Sequence, residues 1–131
     1  MRAPAMTRSA ILSTAAPQPV SAYSQAIQSG SLLFLAGQIP LDPTTGKLVS
    51  GSIAEETDRI MNNLRAVLSA AGATLDNVVK TTVYLTNMAD FSAFNQAYAG
   101  YFTKDPPART TVAVAALPLG ARVEVEAIAA L

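Results

Sequence analysis

The sequence predicts a single α+β domain in which two helices cover one face of a mixed β-sheet. Its 131 residues suit one domain. Two segments repeat apolar residues at helical spacing, and the segments around them alternate apolar and polar residues as strands do. The elements follow in the order β-β-β-α-β-α-β-β, which is typical of helices packed on a sheet. Residues 1–9 show no periodicity, so we expect a disordered extension there and a domain over residues 10–131.

Three short strands are predicted before the first helix. Residues 10–13 form the first candidate, and the loop signal Pro17-Gln18-Pro19 follows it. Residues 23–28 and 32–36 are the other two candidates. Because Ser29-Gly30-Ser31 separates these two segments, they are predicted to pair as a hairpin.

The first helix is predicted over residues 52–71. Ser52 followed by Glu55 fits a capping box, in which each side chain accepts a hydrogen bond from a backbone N–H at the helix start. Gly72 follows the last apolar position and suits the left-handed conformation that ends many helices. The apolar stripe expected to face the sheet comprises Ile60, Met61, Leu64, Val67, Leu68 and Ala71.

Residues 77–86 predict a fourth strand because they are rich in β-branched residues. A second helix is expected over residues 91–103, with Asp90 as its N-cap and Pro106-Pro107 as its end. The strand has Val79, Thr81, Val83 and Leu85 on one face and Lys80, Thr82 and Tyr84 on the other. The helix has an apolar stripe of Phe91, Phe94, Tyr98, Tyr101 and Phe102. The sheet is completed by strands over residues 109–115 and 122–130.

The composition excludes several classes of site. The chain has no Cys and no His, so thiolate nucleophiles, Ser-His-Asp triads and the usual zinc sites are excluded. A general acid or base must therefore be Asp, Glu, Lys or Tyr. The sequence contains no phosphate-binding motif and no acidic cluster typical of a metal site, so we predict neither a metal nor a cofactor.

Charge and hydrophobicity indicate the kind of partner. Nine basic and nine acidic residues give a net charge of zero, and no basic run occurs, which makes nucleic acid an unfavoured partner. Hydrophobic residues make up 50% of the chain, which predicts association between subunits through the sheet face that the helices leave uncovered. An Ala-rich composition would raise the same percentage without an interface. No apolar stretch could span a membrane, and we expect a cytoplasmic protein.

Few polar residues are candidates for chemistry. Arg109 opens a strand of small and apolar residues, and its planar guanidinium could bind a carboxylate through two hydrogen bonds. Glu124 and Glu126 lie on one strand face, about 7 Å apart from the rise per residue, where either could orient a water. Tyr23 and Asn95 are further polar candidates. Each could equally be an ordinary surface or packing residue, and the pattern alone does not decide between these interpretations.

Several segments are weakly informative alone but specific in their order. They are Tyr23-Ser24-Gln25-Ala26, Ala36-Gly37-Gln38-Ile39-Pro40, Asn62-Asn63-Leu64, Val79-Lys80-Thr81-Thr82-Val83-Tyr84-Leu85, Phe94-Asn95 with Tyr98 and Phe102, Pro107-Ala108-Arg109-Thr110, and Val123-Glu124-Val125-Glu126-Ala127-Ile128-Ala129. In this order they resemble the Rid (reactive intermediate deaminase) family, also described as L-PSP endoribonucleases or translation inhibitors. The resemblance runs from about Ile11 to the last residue.

This resemblance implies a chorismate-mutase-like fold and a homotrimer with a barrel-like core, in which each of three clefts draws residues from two subunits. It implies that Arg109 binds a substrate carboxylate and that Glu124 orients the attacking water, with Glu126 in a structural role. The implied substrate-binding positions are Tyr23, Gly37, Asn95 and Thr111. Thr111 stands where many members have Cys, Ala36 where many have Ser, and Ser21-Ala22 where Gly-Pro is common. These departures bear on substrate range more than on the reaction.

The activity implied by the resemblance is hydrolysis of reactive 2-imino acids, such as 2-iminopropanoate formed from 2-aminoacrylate, to 2-keto acids and ammonia. The implied partners are a small imino or keto acid and further copies of the same chain. Two other functions stay open. The same trimer could bind small carboxylates without turnover, or the chain could have the ribonuclease or translation-inhibitor activity attached to the family name.

Overall fold

The computed structural model describes residues 7–131, which form a six-stranded sheet and two α-helices. The α+β class and the predicted order of elements are confirmed. The helices are α1 (Ile53–Ala70) and α2 (Phe91–Ala99). The strands are β1 (Arg8–Ile11), β2 (Ala26–Ser29), β3 (Leu32–Gln38), β4 (Val78–Leu85), β5 (Ala108–Ala113) and β6 (Val123–Ala130).

The sheet is mixed, as predicted. Its strands lie in the order β1-β2-β3-β6-β4-β5, in which β4 and β5 run parallel and the other neighbours are antiparallel. The predicted hairpin joins β2 to β3 and turns at Gly30, whose φ of 60° suits a residue without a Cβ. Although β6 follows all the other strands in the chain, it lies between β3 and β4 at the centre of the sheet.

Both helices cover the same face of the sheet. α1 packs across β3 and β6, and α2 packs beside α1. Alternate residues of β6 face the helices and are buried, whereas the intervening residues lie on the opposite face, here termed the open face. The buried set is Val123, Val125, Ala127 and Ala129. The open face carries the exposed apolar side chains Leu32, Phe34 and Val112.

α1 lies close to its predicted bounds. Ser52 is the N-cap, and its hydroxyl accepts a hydrogen bond from the Glu55 N–H at 3.1 Å. The Glu55 carboxylate accepts from the Ser52 hydroxyl and not from its backbone, so the predicted capping box is only half formed. Gly72 has a φ of 75°, as the predicted helix end requires. Ala71 is partly buried, and the rest of the predicted stripe is fully buried.

α2 is shorter than predicted. It ends at Ala99 rather than at residue 103, because Gly100 follows and the next backbone hydrogen bonds tighten to three-residue spacing, from Tyr101 N–H to Tyr98 at 3.0 Å. Its start also differs from the prediction, since Asp90 makes no side-chain cap. The turn that leads into α2 is capped by Asn87 instead, whose side chain accepts the Ala89 N–H at 2.9 Å.

A bulge in β4 overturns one predicted side-chain orientation. The pairing of β4 with β6 skips Val79, which leaves this side chain 48% exposed. Val78 is buried in its place. From Thr81 onward the predicted faces hold, with Thr81, Val83 and Leu85 buried.

The first two strands are displaced from their predicted positions. β1 begins at Arg8, so Arg8 and Ser9 pair with β2 and do not belong to the extension predicted over residues 1–9. Residues 1–6 lie outside the described residues. β2 begins at Ala26, three residues later than predicted. The preceding residue, Gln25, is buried, and its side-chain oxygen accepts from Ser13 N–H at 2.6 Å. Among residues 7–131, no helix is both long and apolar enough to cross a bilayer.

Candidate active site

The first group of candidate residues surrounds Arg109 on β5. Arg109 pairs with Thr81 on β4, and it therefore lies on the helix-covered face of the sheet. Its Nη1 donates to Asn95 Oδ1 at 2.8 Å, and its guanidinium carbon lies 4.9 Å from the centre of the Tyr98 ring. Together these residues line a cavity of about 340 Å³. The contacts fix the guanidinium while most of its N–H donors are available to a ligand.

Tyr98 is a supporting residue that sequence reasoning assigned only to the core. Its hydroxyl shares a hydrogen bond of 2.7 Å with the Thr81 hydroxyl, and burial raises the pKa of this phenol above its usual value of 10. The side chain therefore stays neutral beneath the Arg109 guanidinium. The signal that could have found it is helical spacing, because Phe91, Asn95 and Tyr98 stand four and three residues apart and share one helix face.

Thr111 lies beside this group. It follows Arg109 by two residues on β5 and so faces the same side of the sheet. Its Oγ1 is buried and has no hydrogen-bond partner among residues 7–131. Buried hydroxyls are nearly always partnered. The Thr111 hydroxyl, next to a fixed arginine, is therefore available to form a hydrogen bond with a polar ligand.

The second group lies on the open face around Glu124. Glu124 shares a cavity of about 510 Å³ with Tyr23 and Gly37. The Glu124 carboxylate lies directly over Gly37, where an added Cβ would stand 2.9 Å from the carboxyl carbon. Gly37 is therefore required by space and not by a positive φ. The remaining lining is mostly apolar and comprises Pro17, Val20, Ser21, Ala36, Gln38, Ile39, Leu41, Pro118 and Leu119.

The environment of Glu124 favours a proton acceptor with an elevated pKa. Burial raises the pKa of Glu124 above its usual value of 4.5, and the neighbouring charge of Glu126 raises it further. Glu126 itself accepts a hydrogen bond from the Tyr84 hydroxyl. This bond is the main reason that the pKa of Tyr84 rises to about 12, with burial and the charges of Glu126 and Glu124 adding to it. Glu124 lines the cavity and Glu126 does not.

The two groups lie on opposite faces of the sheet. On β4, Thr81 pairs with Arg109 and the open-face residue Tyr84 pairs with Glu124. One chain therefore brings Arg109, Asn95 and Thr111 together on one side and Tyr23, Gly37 and Glu124 together on the other. Within residues 7–131 no three Asp, Glu, His or Cys side chains are grouped as a metal ion would require.

Comparison with known proteins identifies the family to which the chain belongs. The family model described as endoribonuclease L-PSP matches residues 13–131. The chain is 48% identical over 122 residues to the mouse protein named 2-iminobutanoate/2-iminopropanoate deaminase, covering 93% of this chain and 90% of that protein. The crystal structure of a Rid family protein of unknown function from Yersinia pestis superposes with a TM-score of 0.91 at 46% identity, over 95% of this chain and all of that one.

Another similar solved structure has a bound small molecule. It is that of E. coli TdcF with bound serine, which is 32% identical and superposes with a TM-score of 0.90 over 94% of this chain and 98% of that chain. The family match covers nearly the whole described sequence, and the identities are high over most of each relative. The chain belongs to the endoribonuclease L-PSP family, to which the Rid proteins also belong.

Proposed function

We propose that this chain hydrolyses reactive 2-imino acids to 2-keto acids and ammonia in a site assembled from two neighbouring subunits of a homotrimer. The observation that carries the proposal is the division of the candidate residues. A fixed arginine and a half-buried glutamate, each in its own cavity, lie on opposite faces of one sheet. The Arg109 group of one subunit and the Glu124 group of the next subunit would together form one active site. The mouse relative's name supports the reaction class.

The open face supports association between subunits. Its side chains include Leu32 at 40%, Phe34 at 43% and Val112 at 38% exposure. Apolar side chains grouped on one sheet face gain free energy when another surface covers them. A closed ring of three such faces would bury them. The proposal requires that the edge strand β5 of one subunit lies near the Glu124 cavity of another in this ring.

The proposed mechanism uses one anchor and one base. Arg109 binds the substrate carboxylate through two hydrogen bonds and thereby positions the imine carbon. Glu124 takes a proton from a water, whose oxygen forms a bond to that carbon. The π electrons of the carbon–nitrogen double bond move to the nitrogen, to which Glu124 returns the proton, and a carbinolamine forms. Glu124 then carries the proton of the new hydroxyl to the nitrogen, the carbon–oxygen double bond forms as the carbon–nitrogen bond breaks, and ammonia and the keto acid leave. The unpartnered Thr111 hydroxyl and the backbone near it would bind the imine nitrogen.

A coupled assay tests this function. A serine dehydratase generates 2-aminoacrylate in situ, and the loss of the imine absorbance is followed with and without the protein. Arg65→Ala is the matched control for Arg109→Ala, because Arg65 also bonds to an asparagine, Asn62, and also stacks on a tyrosine ring, that of Tyr101.

The wild type and Arg65→Ala should both accelerate imine loss, and Arg109→Ala should not. If the wild type binds a 2-keto acid but does not accelerate the loss of any imino acid offered, the deaminase proposal is wrong and the site is a binding module. A net charge of zero without a basic run gives no support to RNA cleavage.

Gly37→Ala should lower kcat/KM with little loss of stability. The added Cβ would occupy the space of the Glu124 carboxylate, the mobile end of a side chain, so the base moves while the fold stays. A displaced catalytic group costs on the order of 10-fold to 100-fold in rate. Turnover and Tm are measured together, with Gly100→Ala as the control, because its Cβ would meet only ordinary contact at 3.5 Å. In a Glu124→Gln background, Gly37→Ala should have no further effect; an undiminished effect there would contradict the explanation.

A further inference from the structure

The two glutamates of β6 point toward different neighbouring strands. Both lie on the open face two residues apart. The Glu124 carboxylate lies over Gly37 and thus leans toward β3. The Glu126 carboxylate is bonded to Tyr84 and thus leans toward β4. Since β6 lies between β3 and β4, the two carboxylates lean apart.

The donor to the Glu126 carboxylate is the Tyr84 hydroxyl. Tyr84 pairs directly with Glu124 in the β4–β6 register, yet its hydroxyl donates to Glu126, two residues further along β6. A long aromatic side chain can reach such a diagonal neighbour across an antiparallel pair. One phenol therefore stands beside two carboxylates and is bonded to the one that does not line the cavity.

We propose that Tyr84 is a positioning residue for Glu124: its hydroxyl holds the Glu126 carboxylate toward β4 and keeps this second negative charge away from the carboxylate at the cavity. The proposal rests on the role given to Glu124 under the proposed function. Without the hydroxyl, Glu126 loses its donor and is free to turn toward Glu124. Two carboxylates that share a site resist simultaneous ionisation, so Glu124 would hold its proton to higher pH.

Few other charged or titratable groups face Glu124. On β4 this group is Tyr84. Lys80 is also on the open face, but it pairs with Ile128, four residues further along β6, and its ammonium donates to the Thr110 hydroxyl at 2.9 Å. The cavity loops contribute Tyr23, and the cavity-lining part of β3 contributes none. Glu126 is therefore the nearest like charge, and the one that Tyr84 controls.

The test measures the titration of Glu124 directly. The chain has four glutamates, so the intact protein labelled with ¹³C at the glutamate carboxyl gives few resonances, and Glu124→Gln assigns the one of interest. The variants are Tyr84→Phe, Glu126→Gln and their combination. Tyr101→Phe is the matched control, because its hydroxyl also donates to a carboxylate, Asp58 at 2.7 Å, away from the open face.

Tyr84→Phe should move the Glu124 midpoint to higher pH, and Tyr101→Phe should leave it in place. Glu126→Gln should lower the midpoint, and adding it to Tyr84→Phe should cancel the upward shift, which loss of packing could not produce. The acidic limb of kcat/KM should move in parallel, so that Tyr84→Phe loses about 3-fold more activity at pH 5.5 than at pH 8.

A Glu124 midpoint that Tyr84→Phe leaves unchanged, or an upward shift that Glu126→Gln fails to cancel, overturns the positioning role. The titration does not depend on turnover. If the midpoints move as expected and no variant, the wild type included, deaminates an imino acid, the electrostatic role of Tyr84 is supported and the proposed function is the part that fails.

Discussion

Arg109→Lys should lower kcat/KM for a 2-imino acid on the order of 100-fold, because a lysine cannot replace two parallel hydrogen bonds to a carboxylate. One ammonium on a flexible stem also could not keep the bond to Asn95, the contact with the Tyr98 ring and two parallel bonds to the substrate at the same time. Hydrogen bonds to charged groups contribute about 1.5 to 3 kcal/mol each, which sets the scale of the loss. Steady-state kinetics with in situ generated imine measures it.

The control for this substitution is Arg65→Lys, which removes similar contacts from the helix surface and should leave kcat/KM unchanged. Tm should be measured for both variants, since Arg109 is only partly buried and its replacement should not unfold the domain. An Arg109→Lys protein with near wild-type kcat/KM would contradict the anchor role. It would show that binding of the substrate carboxylate needs only a positive charge and not the two parallel hydrogen bonds of a guanidinium.

Mixing two inactive variants should restore activity. Arg109→Ala chains keep Glu124, and Glu124→Gln chains keep Arg109, so a mixed oligomer contains sites in which both native groups meet across an interface. Random assembly of equal amounts would complete about one quarter of the sites in a closed ring with one such site per interface. The chains are unfolded together, refolded, and assayed against each variant treated alone.

The matched control for the mixing experiment uses a double variant in place of the Glu124→Gln chain. Arg109→Ala chains mixed with chains that carry both Arg109→Ala and Glu124→Gln should recover nothing, because no chain in this mixture carries Arg109. If native mass spectrometry shows mixed oligomers and the first mixture stays inactive, Arg109 and Glu124 do not meet between subunits. The division of the site over two sheet faces would then need another explanation.

Local patterns predicted the parts of the fold that depend on neighbouring residues. α1 has a cap, an apolar stripe at helical spacing and a terminating glycine within one continuous segment, and its predicted bounds differ from the observed Ile53–Ala70 by one residue at each end. β6 alternates valine and glutamate over residues 123–126, so its buried and open faces followed from period two. The extra residue at Val79 could not be predicted, because a bulge is defined against the partner strand and leaves the alternation of the sequence unbroken.

The candidate site was predictable only in part, for a related reason. Arg109 and Glu124 were singled out by residue type and by resemblance, and each indeed lines a cavity. That they face opposite sides follows from the register of β4 with both β5 and β6, which no single segment encodes. Tyr84 was assigned only to a strand face, because its bond to Glu126 joins residues 42 positions apart in the chain.

The central position of β6 has a consequence for synthesis of the chain. Before residues 123–130 leave the ribosome, β3 and β4 have no partner between them, and the two halves of the sheet share no strand-to-strand hydrogen bonds among the described elements. Each half then presents a bare strand edge to other chains. The strand that carries Glu124 therefore also closes the sheet, and nascent chains stalled before Val123 should be the aggregation-prone species during expression.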